Sequence, residues 1–168
     1  MNKGYENIQV ICDDTDVFVL LVNYHHVNKW KNDVLLTSLD ESNKPISIKL
    51  TASKHASFAS SLLAMHVLSG CDTVPMMCGI GKIGALNVIK KNPNILSSLG
   101  DLCAPISDVI DEGKSFVARC YGFNDCKDMS DLRYIVPFFK SAIWWCLNNV
   151  HLNSIIYKLK KETIKFLY

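Results

Sequence analysis

Three aspartates stand between two apolar runs near the start of the chain, and few folds accommodate that arrangement. Ile8-Gln9-Val10-Ile11-Cys12 is short and rich in β-branched residues, and Asp13-Asp14-Thr15-Asp16 stops it. Val17 to Val22 is apolar again, with no polar spacer. The first run predicts a buried strand of a parallel sheet. Carboxylates just beyond the C-terminal end of such a strand lie where α/β sheets place ligands. Carboxylates held together between buried elements repel one another and lose hydration unless a cation neutralises them, and hard oxygen ligands suit Mg²⁺ or Mn²⁺. A solvated turn with a helix cap is the plainer use of the same residues.

A second constraint comes from Gly70 to Lys91, GCDTVPMMCGIGKIGALNVIKK. Asp72 follows the end of a long apolar helix predicted over about Lys54 to Leu68. Ile83, Leu86 and Ile89 recur at helical spacing until Asn92-Pro93 stops them. Gly79-Ile80-Gly81 then forms a loop feeding a helix N-terminus, where free backbone N–H groups can hold a phosphate and Lys82 adds charge. The spacing fits neither a Walker A loop nor a dinucleotide fingerprint. A tight turn in a helical hairpin accounts for the same glycines.

On these residues the chain resembles the flap endonuclease family, the structure-specific 5′ nucleases related to PIN domains. Gly70-Cys71-Asp72 with Gly79-Ile80-Gly81-Lys82 and the helix Ala85 to Lys90 is similar to their helix-turn-helix segment, and Val10-x-Cys12-x-Asp14-Thr15-Asp16 to their late Asp-x-Asp motif. His66-x-Leu68-Ser69-Gly70-Cys71-Asp72-Thr73, Phe116-Val117, Tyr121-Gly122 and Leu132-Arg133-Tyr134 also resemble an uncharacterised invertebrate PIN-like group associated with mobile elements. Thr73 departs from the nucleases, which often carry an aromatic there.

The resemblance implies a fold, a site and a partner. The fold is α/β: an incomplete PIN-like domain with a small, mostly parallel sheet and then a helical region containing a helix-turn-helix DNA-binding element. One domain would occupy 1–168, with the sheet and acidic site in 7–72, the helix-turn-helix in 73–100 and a helical C-terminal region in 101–168. Asp14, Asp16 and Asp72 would be catalytic metal-site carboxylates, with Asp13 a further ligand. Gly79, Gly81, Lys82, Gly84, Lys90 and Lys91 would contact the backbone of duplex DNA. Such nucleases hydrolyse phosphodiester bonds between two metal ions, but they begin with an earlier strand and acids that do not precede residue 8 here. The expectation is a fragment or degenerate copy, inactive or weak without a complementing polypeptide. A non-catalytic DNA-binding module and a structural or interaction domain are the alternatives.

Charge distribution fits an acidic site beside a basic surface. The net charge is only +2, but residues 1–41 hold seven acids against three lysines, and residues 49–91 hold five lysines against Asp72 alone. Lysines clustered on a solvated face produce the same count. Seven cysteines without a secretory segment imply reduced thiols and an intracellular setting, with the nucleus open to a DNA-binding protein. No run approaches the length of a membrane span.

Elsewhere the signals are structural. Val17 to His26 reads as a helix, on the ground that neighbouring parallel strands need a crossover. Val34 to Thr37 and Ile46 to Leu50 read as strands around the turn-forming 40–45 stretch. Ile95 to Leu99 suits a short helix, Asp101 to Glu112 an acidic loop, and Ser115 to Tyr121 a turn or two of amphipathic helix. Cys120 and Cys126 are expected to be free buried thiols. Trp144-Trp145 fits either a core or a stacking platform for single strands.

Overall fold

The computed structural model of the chain describes residues 8–40, 42–72, 74–77 and 79–124. Readings that fall on Thr73, Cys126, Leu132 to Tyr134 and Trp144-Trp145, and the helical C-terminal region beyond residue 124, lie outside them. The chain divides into two compact units, Met1–Leu63 and Ala64–Tyr168. Together they give a small α/β arrangement in which a mixed sheet is followed by helices.

The first unit holds a three-stranded sheet in the order β1 (Ile8–Ile11), β2 (Val34–Thr37), β3 (Ile46–Ser47). β1 pairs parallel to β2, with Ile8 opposite Val34 and Val10 opposite Leu36. β3 returns antiparallel, with Leu36 opposite Ile46. The sheet is therefore mixed rather than mostly parallel. Helix α1 (Thr15–Val27) makes the connection between β1 and β2. Its N-cap is Asp14, whose Oδ1 accepts the Asp16 N–H at 2.8 Å, and His25 and His26 occupy its last turn, where a positive charge complements the helix dipole. Asn32 supplies the backbone oxygen for the buried His25, 3.3 Å from Nε2, and the Trp30 ring meets the imidazole edge-on.

Side-chain alternation puts Val34 and Leu36 on the covered face of β2, where they pack with Val22 of α1 and with Ile48 and Ala52 of α2 (Ile48–Lys54). Val10, Cys12, Phe18 and Leu21 complete this core. The strand expected over Ile46 to Leu50 stops after two residues because a helix is nucleated there. Ser47 Oγ accepts the Leu50 N–H at 3.0 Å, and Asp33 Oδ1 accepts the Lys49 N–H at 2.9 Å. Two carboxylate or hydroxyl acceptors on the first free amides of a helix outweigh the β-alternation of Ile46, Ile48 and Leu50.

Helix α3 (Ala59–Leu68) follows a turn at His55–Phe58, so the single helix expected over 54–68 is two shorter ones. The second unit contains α4 (Lys82–Lys91) and α5 (Ile106–Cys120), packed on each other with Ala85, Ile89, Val109, Phe116 and Ala118 buried. α5 begins directly after Pro105, so most of the expected acidic loop is helix. Ile95 to Leu99 forms turns and bends in place of the expected helix. Glu112 fastens that segment to α5: its carboxylate accepts Ser97 Oγ–H at 2.9 Å, Ser98 Oγ–H at 3.0 Å and Ser98 N–H at 2.8 Å.

Candidate functional site

Asp13 and Asp14 sit at the C-terminal edge of the parallel pair, in the turn between β1 and α1, as the sequence pattern predicts. Together with Cys12 and Thr15 they form one wall of an open cleft of about 350 Å³. Ser38, Asn43 and Lys44, from the β2–β3 connection, form another, and Phe18, Leu36 and Ile46 supply apolar lining.

Both carboxylates already have backbone partners. The Leu39 N–H lies 3.3 Å from Asp13 Oδ1 and 3.2 Å from Oδ2, bridging the two oxygens. That donor takes the inner lone pairs that a chelated cation would use. Asp14 Oδ1 is the α1 cap. Asp16 is half-buried in the first turn of α1, and Asp72 is exposed at the tip of the Cys71–Val74 turn in the other unit. Among the described residues, no three His, Cys, Asp or Glu side chains are grouped as a metal ion requires. Asp13 thus shares both oxygens with one backbone amide, whereas Asp14 keeps Oδ2 without a donor among the described residues.

The candidate DNA-contacting residues group around α4. Gly81 is its N-cap, with Gly79 in the turn before it at φ +71°. Gly84, Lys90 and Lys91 lie on its exposed side with Ile83 and Asn87. A Cβ at Gly79 or Gly81 would meet nothing within 4 Å, and one at Gly84 would make only ordinary contact with Ile80. Internal packing therefore does not demand glycine at 81 or 84.

Lys82 has an internal function that the sequence pattern does not reveal. Its Nζ donates to the His66 oxygen at 2.6 Å, to Ser69 Oγ at 3.1 Å and to the Gly70 oxygen. His66 and Ser69 are buried. An ammonium on the last carbonyls of a helix is favourable both as a donor and against the dipole.

Asp33 is the polar residue that sequence reasoning overlooked. It stands before β2 and accepts from Val34 N–H at 2.8 Å, Ser47 Oγ–H at 2.6 Å and Lys49 N–H at 2.9 Å, joining β2, β3 and α2. Burial works to raise its pKa, but the Ser47 hydroxyl and the two backbone donors, with His25 nearby, hold the carboxyl below its ordinary range. The available signal was an aspartate directly preceding a strand, a position indistinguishable in sequence from a solvated turn.

Among the described residues, no helix is long and apolar enough to cross a membrane. No family model, curated protein or solved structure matches this chain.

Proposed function

We propose that this chain is a degenerate copy or fragment of a divalent-metal-dependent, structure-specific nuclease domain, inactive or weak on its own, that retains DNA-backbone contact through the turn and helix α4. The observation that carries the reading is the engagement of Asp13 and Asp14 by the backbone amides of Leu39 and Asp16. A Mg²⁺ or Mn²⁺ ion at this edge competes with the Leu39 amide for Asp13 and shares Asp14 with the helix cap, which weakens its binding. Two divalent ions bring four positive charges, and of the three carboxylates at this edge, Asp13, Asp14 and Asp16, the first two each already accept a backbone amide. A companion polypeptide that adds carboxylates would complete the site.

A non-catalytic DNA-binding module is the second reading, favoured by the outer side of α4. Ile83, Gly84, Asn87, Lys90 and Lys91 share one exposed side with no acid among them. In the helix-turn-helix form of this reading, phosphates approach the Cβ-free surface at Gly81 and Gly84, with Lys90 and Lys91 supplying charge and Lys82 holding the turn.

The test incubates the purified chain with flap, nicked and single-stranded DNA in Mg²⁺ and in Mn²⁺, beside D14A/D16A, and measures duplex affinity across a salt series. The first reading expects little or no multiple-turnover cleavage. Both expect affinity that falls with salt, with a slope smaller by about two in K90A/K91A. Efficient cleavage abolished in D14A/D16A overturns the claim of inactivity, and a salt slope unaltered in K90A/K91A overturns the α4 interface.

A further inference from the structure

We infer that the cleft at the C-terminal edge of the sheet is a metal-independent binding site for one nucleotide carrying an amino-bearing base, with Lys44 holding the phosphate and Asp14 reading the base. The inference is independent of the DNA-backbone reading of α4, which uses other residues.

Three features of the cleft carry it. Its volume of about 350 Å³ is at the low end of small-molecule sites, about 300–1,000 Å³, and suits one nucleotide better than two. Its position outside the carboxyl ends of parallel strands is the usual ligand position in α/β sheets. Its lining is divided by chemistry: Phe18, Leu36 and Ile46 offer an apolar surface for a flat ring, while Asp14 and Lys44 bring opposite charges from two different segments.

Those two charged groups have unused capacity. Asp14 spends Oδ1 on the Asp16 amide, and Oδ2 has no donor among the described residues. Lys44 is exposed and makes no hydrogen bond or ion pair among them. Asp13 serves the site indirectly by holding Leu39, at the start of the connection that carries Asn43 and Lys44. A carboxylate accepts from the exocyclic amine of cytosine and is repelled by the carbonyl that thymine presents in its place. An ammonium adds a charge-assisted contact to a phosphate. Inorganic phosphate alone lacks the ring and meets Asp13 and Asp14 without compensation, so the free anion is not the ligand.

The experiment titrates the full chain in EDTA with dCMP, dTMP, deoxycytidine and inorganic phosphate, following the backbone amide resonances of Asp14, Thr15, Asn43 and Lys44. Saturable dCMP shifts at those amides are expected, with deoxycytidine and dTMP each about tenfold weaker. K44A should bring dCMP down to the level of deoxycytidine, and K44R should restore most of the difference. D14N keeps an acceptor for the helix cap and should erase the preference for dCMP over dTMP. Absence of dCMP binding, shifts confined to other amides, equal wild-type affinity for dCMP and deoxycytidine, or unchanged dCMP affinity in K44A overturns the assignment.

Discussion

Lys82 Nζ donates to the main-chain oxygen of His66 across a distance of 2.6 Å, joining the first residue of α4 to the last turn of α3. The same ammonium reaches Ser69 Oγ and the Gly70 oxygen, so it closes the segment that leaves one helix and enters the next. Charge and loop geometry at Gly79-x-Gly81-Lys82 suggested an outward-facing phosphate ligand, and these inward contacts give the residue a conformational task.

Replacing Lys82 with methionine keeps much of the aliphatic stem and removes the donor. The carbonyls of His66 and Gly70 then lose a charged partner, a loss of about 1–3 kcal/mol. A chemical denaturation curve should show a lower midpoint with little change in slope. Under native conditions DNA affinity should stay close to wild type, whereas K90A/K91A should keep the midpoint and lose affinity.

Substitutions at Gly84 and Gly81 separate folding from binding in the opposite sense. Gly84→Ala places a methyl in ordinary contact with Ile80 and removes a helix-interior glycine, a gain of about 0.5–1 kcal/mol. Gly81→Ser keeps a favourable N-cap and contributes a few tenths of a kcal/mol more than glycine. Thermal unfolding should therefore rise slightly in G84A and hold in G81S. Duplex binding should weaken in both if a phosphate approaches this surface.

Asp33 makes the first unit sensitive to acid. Its folded-state pKa lies below the unfolded one, because Ser47, Lys49 and Val34 donate to the charged carboxylate and outweigh the opposing effect of burial. Its contribution is thus complete above the ordinary aspartate range and is lost as pH falls through the lowered folded value. Wild type and D33N should differ most in stability near neutral pH and converge in strong acid, as measured by urea unfolding at a series of pH values. A constant difference down to about pH 2 would contradict this assignment.

Cysteine reactivity should divide by burial. Desolvation pushes the Cys120 thiol up to about 12, leaving almost no thiolate at mild pH, whereas Cys103 is exposed. Iodoacetamide at about pH 8, near the ordinary thiol range, followed by peptide mapping should label Cys103 on the native chain and Cys120 only after denaturation.

The β1–α1–β2 order was legible because Val10 and Cys12 run into an acidic stop, and because a parallel neighbour needs a crossover that α1 supplies. α4 was legible from Ile83, Leu86 and Ile89 between glycine and Asn92-Pro93. The β3–α2 junction was not, since the decisive acceptor, Asp33, lies 16 residues from the Lys49 amide it captures. α5 was missed in its first half because Asp108, Asp111 and Glu112 read as solvated loop. The spacing of Val109, Gly113 and Phe116 marks the buried side of that helix. For the candidate site, sequence placed Asp13 and Asp14 at the correct edge. It could not show that Leu39 and Asp16 had already claimed them, because a carboxylate looks the same whether its partner is a cation or an amide.

Gly70 stands at φ +103°, and a Cβ built there would lie 2.5 Å from Met76 Cα. Main chain thus passes against main chain at the exit from α3, with no room for even a methyl group. The position is consequently a sorting criterion among candidate kin: a chain with the same Ser-x-Cys-Asp order but any side chain at the intervening residue cannot leave its helix by this route. Shared motif letters would then conceal a different path of the backbone.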